Sequence, residues 1–258
     1  MITPEDTETA MEAEFDTMAE WTADAVAALG PHTALPAACR GSGSPAALAW
    51  LADHLNLATA HRFLDTGAGV GGPAAWLVEE GRVTRAFVTE PMHGAVRASR
   101  RLFGHPAATA WSETLPLRSG AFDAAWLLGV LSTTDRKAEV VAELHRVLAP
   151  GGRLGILAYL RTVDELTGGP EGNSFANLTE LEELLATAGF EETSSVWAHE
   201  LPGPPPEWQQ VADEASAHIA SAHEGEPAVA RAHDQEARMG TLLKERRVMA
   251  RLCAARRL

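Results

Sequence analysis

The sequence predicts an α/β fold, a mostly parallel sheet covered by helices on both faces, with helical additions at both ends. Three observations predict it. Short apolar runs alternate with segments of helical periodicity from Arg62 to Leu160. The first run, Phe63–Leu64, leads directly into Asp65-Thr66-Gly67-Ala68-Gly69-Val70-Gly71-Gly72, a glycine-rich turn before a helix-like segment. The next run, Val83 to Thr89, ends on an acid, Glu90. Strictly alternating strands and helices place helices on both faces of a parallel sheet.

Residues 5–29 read as a helix, because Met11, Phe15, Met18, Trp21, Ala25 and Leu29 recur at helical spacing. A loop from Gly30 to Pro36 follows, and then Arg40-Gly41-Ser42-Gly43-Ser44-Pro45. Ser44 is placed to cap a helix with Pro45 in its first turn, carrying Leu48, Leu51, Leu55 and Leu57 inward. Strands are expected at 62–66, 83–89, 107–111, 122–128 and 153–160, and helices at 73–80, 91–103 and 135–148. A polar, glycine-rich segment, Thr167 to Ser174, precedes a helix at 179–188 that ends at Gly189. Residues 190–200 read as two short strands, and Pro202 to Pro206 as a turn or linker. Residues 207–255 read as helix broken near Gly225–Pro227. The expected organisation is an N-terminal helical lid (1–36), a core (37–201) and a C-terminal helical segment (202–258).

Net charge is −14, which argues against a broad surface for a phosphate backbone. The stretch from Arg231 to Leu258 departs from that balance, with eight basic and three acidic residues. It reads as a solvated or partner-facing helix before it reads as a nucleic-acid-binding one. The two cysteines, Cys39 and Cys253, form no metal or redox motif, and Met1-Ile2-Thr3-Pro4-Glu5-Asp6 does not resemble a signal peptide. A cytoplasmic location is the resulting expectation.

The glycines at 67, 69 and 72 spell G-x-G-x-x-G, which lets backbone N–H groups at a helix start approach a ligand closely. Glu90, at the tip of the second strand, is placed to accept both hydrogen bonds of a ribose diol. Two later stretches join these: Glu113-Thr114-Leu115-Pro116-Leu117 closely followed by Phe122-Asp123, and Glu143-Leu144-His145-Arg146-Val147-Leu148-Ala149-Pro150-Gly151-Gly152-Arg153. In this order, with Ala188-Gly189-Phe190 behind them, they resemble the class I S-adenosylmethionine-dependent methyltransferases over roughly residues 37–200.

The resemblance implies a Rossmann-like, doubly wound, seven-stranded sheet whose last strand runs antiparallel, and S-adenosyl-L-methionine as cofactor. Carried over, Gly67, Ala68 and Gly69 lie under the methionine and ribose, and Asp65 orders that turn or meets the amino group. Glu90 holds the ribose, Pro91 and Met92 line one adenine face, and Leu128-Gly129-Val130 approaches the methionine amine and the methyl group. Many relatives have an acid at the place of Trp111, so adenine contact is expected from Ser112, Glu113 or backbone. Arg40 is a candidate for the methionine carboxylate, since a guanidinium donates two parallel hydrogen bonds.

The expected reaction is methyl transfer to an oxygen, nitrogen or carbon atom of a small-molecule acceptor. The terminal helices and the insert at 161–177 would wall the acceptor site, leaving cofactor binding to the core. A general base is not legible; His199 and Tyr159, near strand ends, are the weak candidates. The stripe of Phe15, Met18 and Trp21 reads as packing before it reads as a pocket roof, and Trp111, Trp126, Trp197 and Trp208 read as core or interface. Two alternatives stand beside this reading. One is a protein of the same fold that binds S-adenosylmethionine without methylating, as a non-methylating enzyme or a partner subunit. The other is an NAD-dependent oxidoreductase. No nucleic acid and no membrane is expected as a partner; a homodimer is compatible with the sequence and not selected by it.

Overall fold

The computed structural model describes residues 4–58 and 61–258, with side chains from Ala13 onward. The side chain of Met11 in the N-terminal stripe, and residues 1–3 of the expected lid, therefore lie outside the described part. Among the described residues there are seven strands: β1 (Phe63–Thr66), β2 (Ala86–Glu90), β3 (Ala107–Thr109), β4 (Phe122–Leu128), β5 (Leu148–Arg161), β6 (Phe190–Trp197) and β7 (Val248–Arg257). They form one sheet in the order β3-β2-β1-β4-β5-β7-β6. β7 is antiparallel to both of its neighbours, and the other pairings are parallel. The chain winds outward from β1 to β3, then returns to the other side of β1 with β4. That reversal opens a crevice at the carboxyl ends of β1 and β4, where open α/β sheets bind ligands.

Successive side chains of the central strands point to opposite faces, as the two-residue strand period requires. Leu64, Ala125, Leu127, Leu154 and Ile156 pack with Val140, Val141 and Leu144 of α6 (Lys137–Val147) and Leu181 and Leu185 of α7 (Leu178–Thr187). Phe63, Ala124, Trp126, Leu128 and Leu157 pack with Leu48, Leu51 and Leu55 at α3 (Pro45–His54) and Trp76 and Leu77 of α4 (Gly72–Glu79). Each fully buried large side chain contributes about 1.5–3 kcal/mol, so these two layers hold the sheet. The local signals behave as their chemistry demands. Ser44 accepts a hydrogen bond from Ala47 N, with Pro45 opening α3. Asn177 and Glu180 close a capping box at the start of α7.

The helical additions are α1 (Pro4–Leu29), α2 (Ala34–Ala38), α8 (Pro206–Ala222) and α9 (Pro227–Lys244). α1 lies along α5 (His93–Phe103) through three acids one turn apart. Asp16 accepts from Gly94 N at the start of α5, Glu20 pairs with Arg97, and Asp24 pairs with Arg101 at 2.6 Å. The carboxylate at the α5 start also complements the partial positive charge of a helix N-terminus.

Three expectations are corrected. Residues 248–257, read as the end of a long helix, form β7, inserted between β5 and β6. Val-Met-Ala-Arg-Leu-Cys-Ala-Ala-Arg-Arg is rich in good helix formers, but two open strand edges offer it a backbone partner on each side. Residues 190–200 are one strand, not two. A register shift between Glu192 and Ser194 bends it, and it ends in a 3-10 turn at Ala198–Glu200. The loop at 30–36 contains a 3-10 turn, Pro31–Thr33, and the beginning of α2. The basic stretch is mostly paired within the fold: Arg231 with Glu14, Arg238 with Asp234, Arg251 with Glu192 and Arg256 with Glu191.

Candidate active site

A cavity of about 750 Å³ opens at the carboxyl ends of the strands, in the upper part of the usual range for ligand sites. Its floor is the turn after β1. Gly67 N and Ala68 N both donate to Thr89 O, at 2.8 and 3.1 Å, which ties the turn to β2. Gly67 sits at φ +65, and a Cβ there would lie 2.3 Å from Val130 Cγ2. Gly69 differs. At φ +53 its missing Cβ would point into open space on the cavity wall. One glycine lets protein pack against protein; the other leaves room for a ligand. Gly72 allows α2 to approach, since its Cβ would meet Ala38 backbone at 2.5 Å.

Glu90 faces this floor. Its carboxylate accepts from Gly69 N at 2.9 Å and Met92 N at 3.3 Å. Each oxygen keeps a lone pair for a further donor. Burial pushes its pKa above the usual carboxylate range, while the two backbone donors pull it back. Asp65 does not line the cavity. It is buried beneath the turn and accepts from Ala74 N in the first turn of α4. Burial, with Glu90 adding repulsion, raises its pKa to about 8. Of its two expected roles, ordering the turn is the one its placement serves.

Pro91, Met92, Ser112, Glu113, Leu128 and Gly129 all reach the cavity wall. Ser112 Oγ is 3.2 Å from Thr66 Oγ1, which accepts from Thr89 Oγ1 at 2.9 Å, so three hydroxyls bind the strand tips together. Glu113 is engaged by Arg136 at 3.3 Å. Gly129, at φ +79, lets its backbone pass Gly41 O and the Tyr159 ring. Trp111 is 45% exposed on the cavity rim, not in the core.

Arg40 also lines the cavity, but its guanidinium pairs with Glu236 of α9. The two weak base candidates separate. His199 is exposed on the 3-10 turn after β6 and takes no part in the cavity. Tyr159 lines it, yet its hydroxyl donates to Gly41 O at 3.1 Å, and burial raises its pKa. It holds the Arg40–Gly43 loop in place.

The roof comes from the additions. Phe15 and Met18 of α1 line it, so this stripe is more than packing, whereas Trp21 stacks on His223 with ring centroids 3.7 Å apart. Ile219 of α8 and Met239 and Leu243 of α9 complete it, with Pro170, Glu171 and Asn173 of the insert at the side. Glu14 was missed by sequence reasoning. It is 6% exposed, on the cavity wall, 3.6 Å from Arg231 Nε. The signal was an acid three residues after Met11 and four before Met18, on the apolar face of α1.

A nucleotide-sized crevice at a strand-order reversal, floored by left-handed glycines and gripped by a strand-tip acid, defines a Rossmann-like cofactor-binding protein. Comparison with known proteins narrows this. Residues 64–156 match the family model described as "Methyltransferase domain". The chain is 32% identical over 112 residues to methyltransferase GfsG of Streptomyces halstedii, spanning 41% of this chain and 40% of that protein. It is 31% identical over 149 residues to a malonyl-[acyl-carrier protein] O-methyltransferase of Laribacter hongkongensis, half of each chain. The chain thus spans half or less of the length of these two relatives. Among solved structures, the [4+2]-cyclase SpnF shares the fold with a TM-score of 0.65 at 24% identity, covering 81% of this chain and 79% of that one. Geranyl diphosphate C-methyltransferase of Streptomyces coelicolor, solved with S-adenosyl-L-homocysteine, gives 0.59 at 14%, covering 82% and 79%. The matched residues, 64–156, run from β1 into β5 and include the cavity floor, and the fold is one shared with a solved methyltransferase that holds S-adenosyl-L-homocysteine.

Proposed function

We propose that this protein transfers a methyl group from S-adenosyl-L-methionine to a small-molecule acceptor. One observation carries the reading. The open face of Gly69, the Glu90 carboxylate and the Leu128–Gly129 backbone converge on a cavity whose opposite wall is an apolar roof. Residues on the cavity wall support this reading. Glu90 offers two oxygens to a ribose diol, and Pro91 and Met92 form an apolar face beside it. Arg40 offers a guanidinium to a carboxylate, exchanging Glu236 for it. When bound, the cofactor supplies an electrophilic methyl group on a sulfonium. The chain's own contribution is then alignment and exclusion of water, which is where most of the rate gain of a bimolecular displacement arises. Neither Tyr159 nor His199 serves as base in this reading.

The same reading places the work in the cytoplasm and on a small molecule, not on nucleic acid. The net charge of −14 supports it, and no described helix is long and apolar enough to cross a membrane. A second reading, cofactor binding without methylation, is favoured by the fold shared with a cyclase.

Mass spectrometry of the purified protein and calorimetry test both. S-adenosylhomocysteine should bind and NADH should not. The protein incubated with methyl-labelled S-adenosylmethionine and a small-molecule extract should place label on an acceptor, and Glu90→Ala should not. NADH binding without a response to S-adenosylhomocysteine overturns the assignment. Cofactor binding with no label transferred from any extract selects the second reading.

A further inference from the structure

Besides Glu90, which grips the floor, four acids line the cavity: Glu14, Glu113, Glu171 and Glu236. Arg40 is the only Lys or Arg among the described lining residues. Glu113 and Glu236 are hydrogen-bonded to Arg136 and Arg40, and Glu171, its carboxylate 3.9 Å from Arg238 of α9, is 59% exposed to water. Glu14 is the exception. Among the described residues no hydrogen bond reaches its carboxylate, and its nearest cation, Arg231 Nε, is 3.6 Å away, beyond hydrogen-bond reach. The apolar residues that line the cavity with it include Phe15 and Met18 of α1, Ile219 of α8, and Val229, Met239 and Leu243 of α9.

A buried carboxyl with no donor is costly, and the cost is relieved by whatever donates to it. Burial pushes the Glu14 pKa up, and Arg231 pulls it part of the way back. We propose that Glu14 is the polar anchor of the acceptor chamber, which takes a bulky apolar molecule headed by a hydrogen-bond donor, a hydroxyl or an amine, and rejects the corresponding acid. The donor head satisfies Glu14 and the apolar body covers the roof. A carboxylate head would meet Glu14 in a cavity that Glu171 and Glu236 also line, and would leave Glu14 without a donor. This deepens the proposed function and rests on it for the word acceptor; the chamber's chemistry stands on Glu14 and the roof alone.

The test uses the full chain saturated with S-adenosylhomocysteine and three probes of one length, octan-1-ol, octylamine and octanoate, titrated by calorimetry at pH 8. The alcohol or the amine should bind about tenfold to a hundredfold more tightly than the acid, the worth of one hydrogen bond to a charged group. The tighter of the two identifies the head as hydroxyl or amine. Glu14→Gln should close most of that gap. Should Glu14→Gln fail to fold, Arg231→Gln, at an exposed site, should widen the gap between amine and acid, because it removes the cation that attracts the acid. Octanoate binding as tightly as the others, a gap untouched by either variant, or no binding by any probe overturns the proposal. The first titration, with S-adenosylhomocysteine alone, keeps the two ideas apart. Its failure overturns the cofactor assignment, and the probes then judge the chamber in the free protein.

Discussion

The floor and the roof of this cavity are built from different interactions. The floor is backbone: Gly67 and Ala68 donate to Thr89 O, Gly69 to Glu90, and three buried hydroxyls join β1, β2 and Ser112. The roof is side chains, held by a small apolar cluster of Val26, Ala37 and Ala215 and by ion pairs that are largely exposed. Glu20–Arg97 has side chains 46% and 63% exposed, and Asp24–Arg101 has 60% and 51%. Exposed pairs contribute roughly 0–1 kcal/mol each. In the proposed function the backbone floor holds the cofactor and the side-chain roof meets the acceptor. α1 nevertheless serves both, because Asp16 caps α5 beside Met92 and Glu90. Removing the whole helix therefore disturbs the cofactor side as well as the acceptor side, and point substitutions separate the two better.

The largest expected effect is at the floor's tightest point. Gly67→Ala places a methyl against Val130 and strains a left-handed residue; overpacking costs about 1–3 kcal/mol and the conformation about as much again. Its melting temperature should fall well below that of Gly69→Ala, which meets no atom within 4 Å. Gly69→Ala should instead stay folded and bind S-adenosylhomocysteine more weakly. Equal melting of the two variants would break the distinction between a packing glycine and a ligand-facing one.

Next is Glu90→Ala. Each lost bond to the carboxylate is worth roughly 1.5–3 kcal/mol, about tenfold to a hundredfold in affinity for S-adenosylhomocysteine. Calorimetry showing unchanged affinity would place the ribose elsewhere. The companion Arg40→Ala should weaken S-adenosylhomocysteine but not adenosine, which lacks the carboxylate. Equal losses for both would take Arg40 out of the cofactor site.

Asp65 sharpens the comparison through pH. Its folded pKa of about 8 lies above its ordinary 3.8, so the folded state holds this proton more tightly than the unfolded chain does. Its effect on stability is neutral below about pH 4, increasingly unfavourable as pH rises to about 8, and constant beyond. Urea midpoints across that range should therefore fall less steeply for Asp65→Asn than for the natural protein. Identical slopes would show that the carboxyl ionises freely under the turn.

The smallest effect belongs to the roof. Glu20→Gln and Asp24→Asn should each change stability by about 1 kcal/mol or less. Losses above about 2 kcal/mol in denaturant melts would mean that α1 is held as firmly as the floor.

Local chemistry made the floor legible. Glycines at left-handed turns, an acid at a strand tip, Ser44 before Pro45 and apolar runs of strand length all act within a few residues of themselves. Their consequences are therefore written in adjacent letters, and β1, β2, β4, α3, α6 and α7 follow from them within a few residues. What only the tertiary structure decided depends on partners distant in sequence. Residues 248–257 become β7 because β5 and β6 each present an open edge, overriding a helix-forming composition. Arg40 meets Glu236 across 196 positions, and Glu14 meets Arg231 only once α1 and α9 close the same roof. Asp65 leaves the cavity wall and Tyr159 loses its free hydroxyl for the same reason. A side chain's neighbours, and hence its proton and its ligand, are set by packing, which no local pattern encodes.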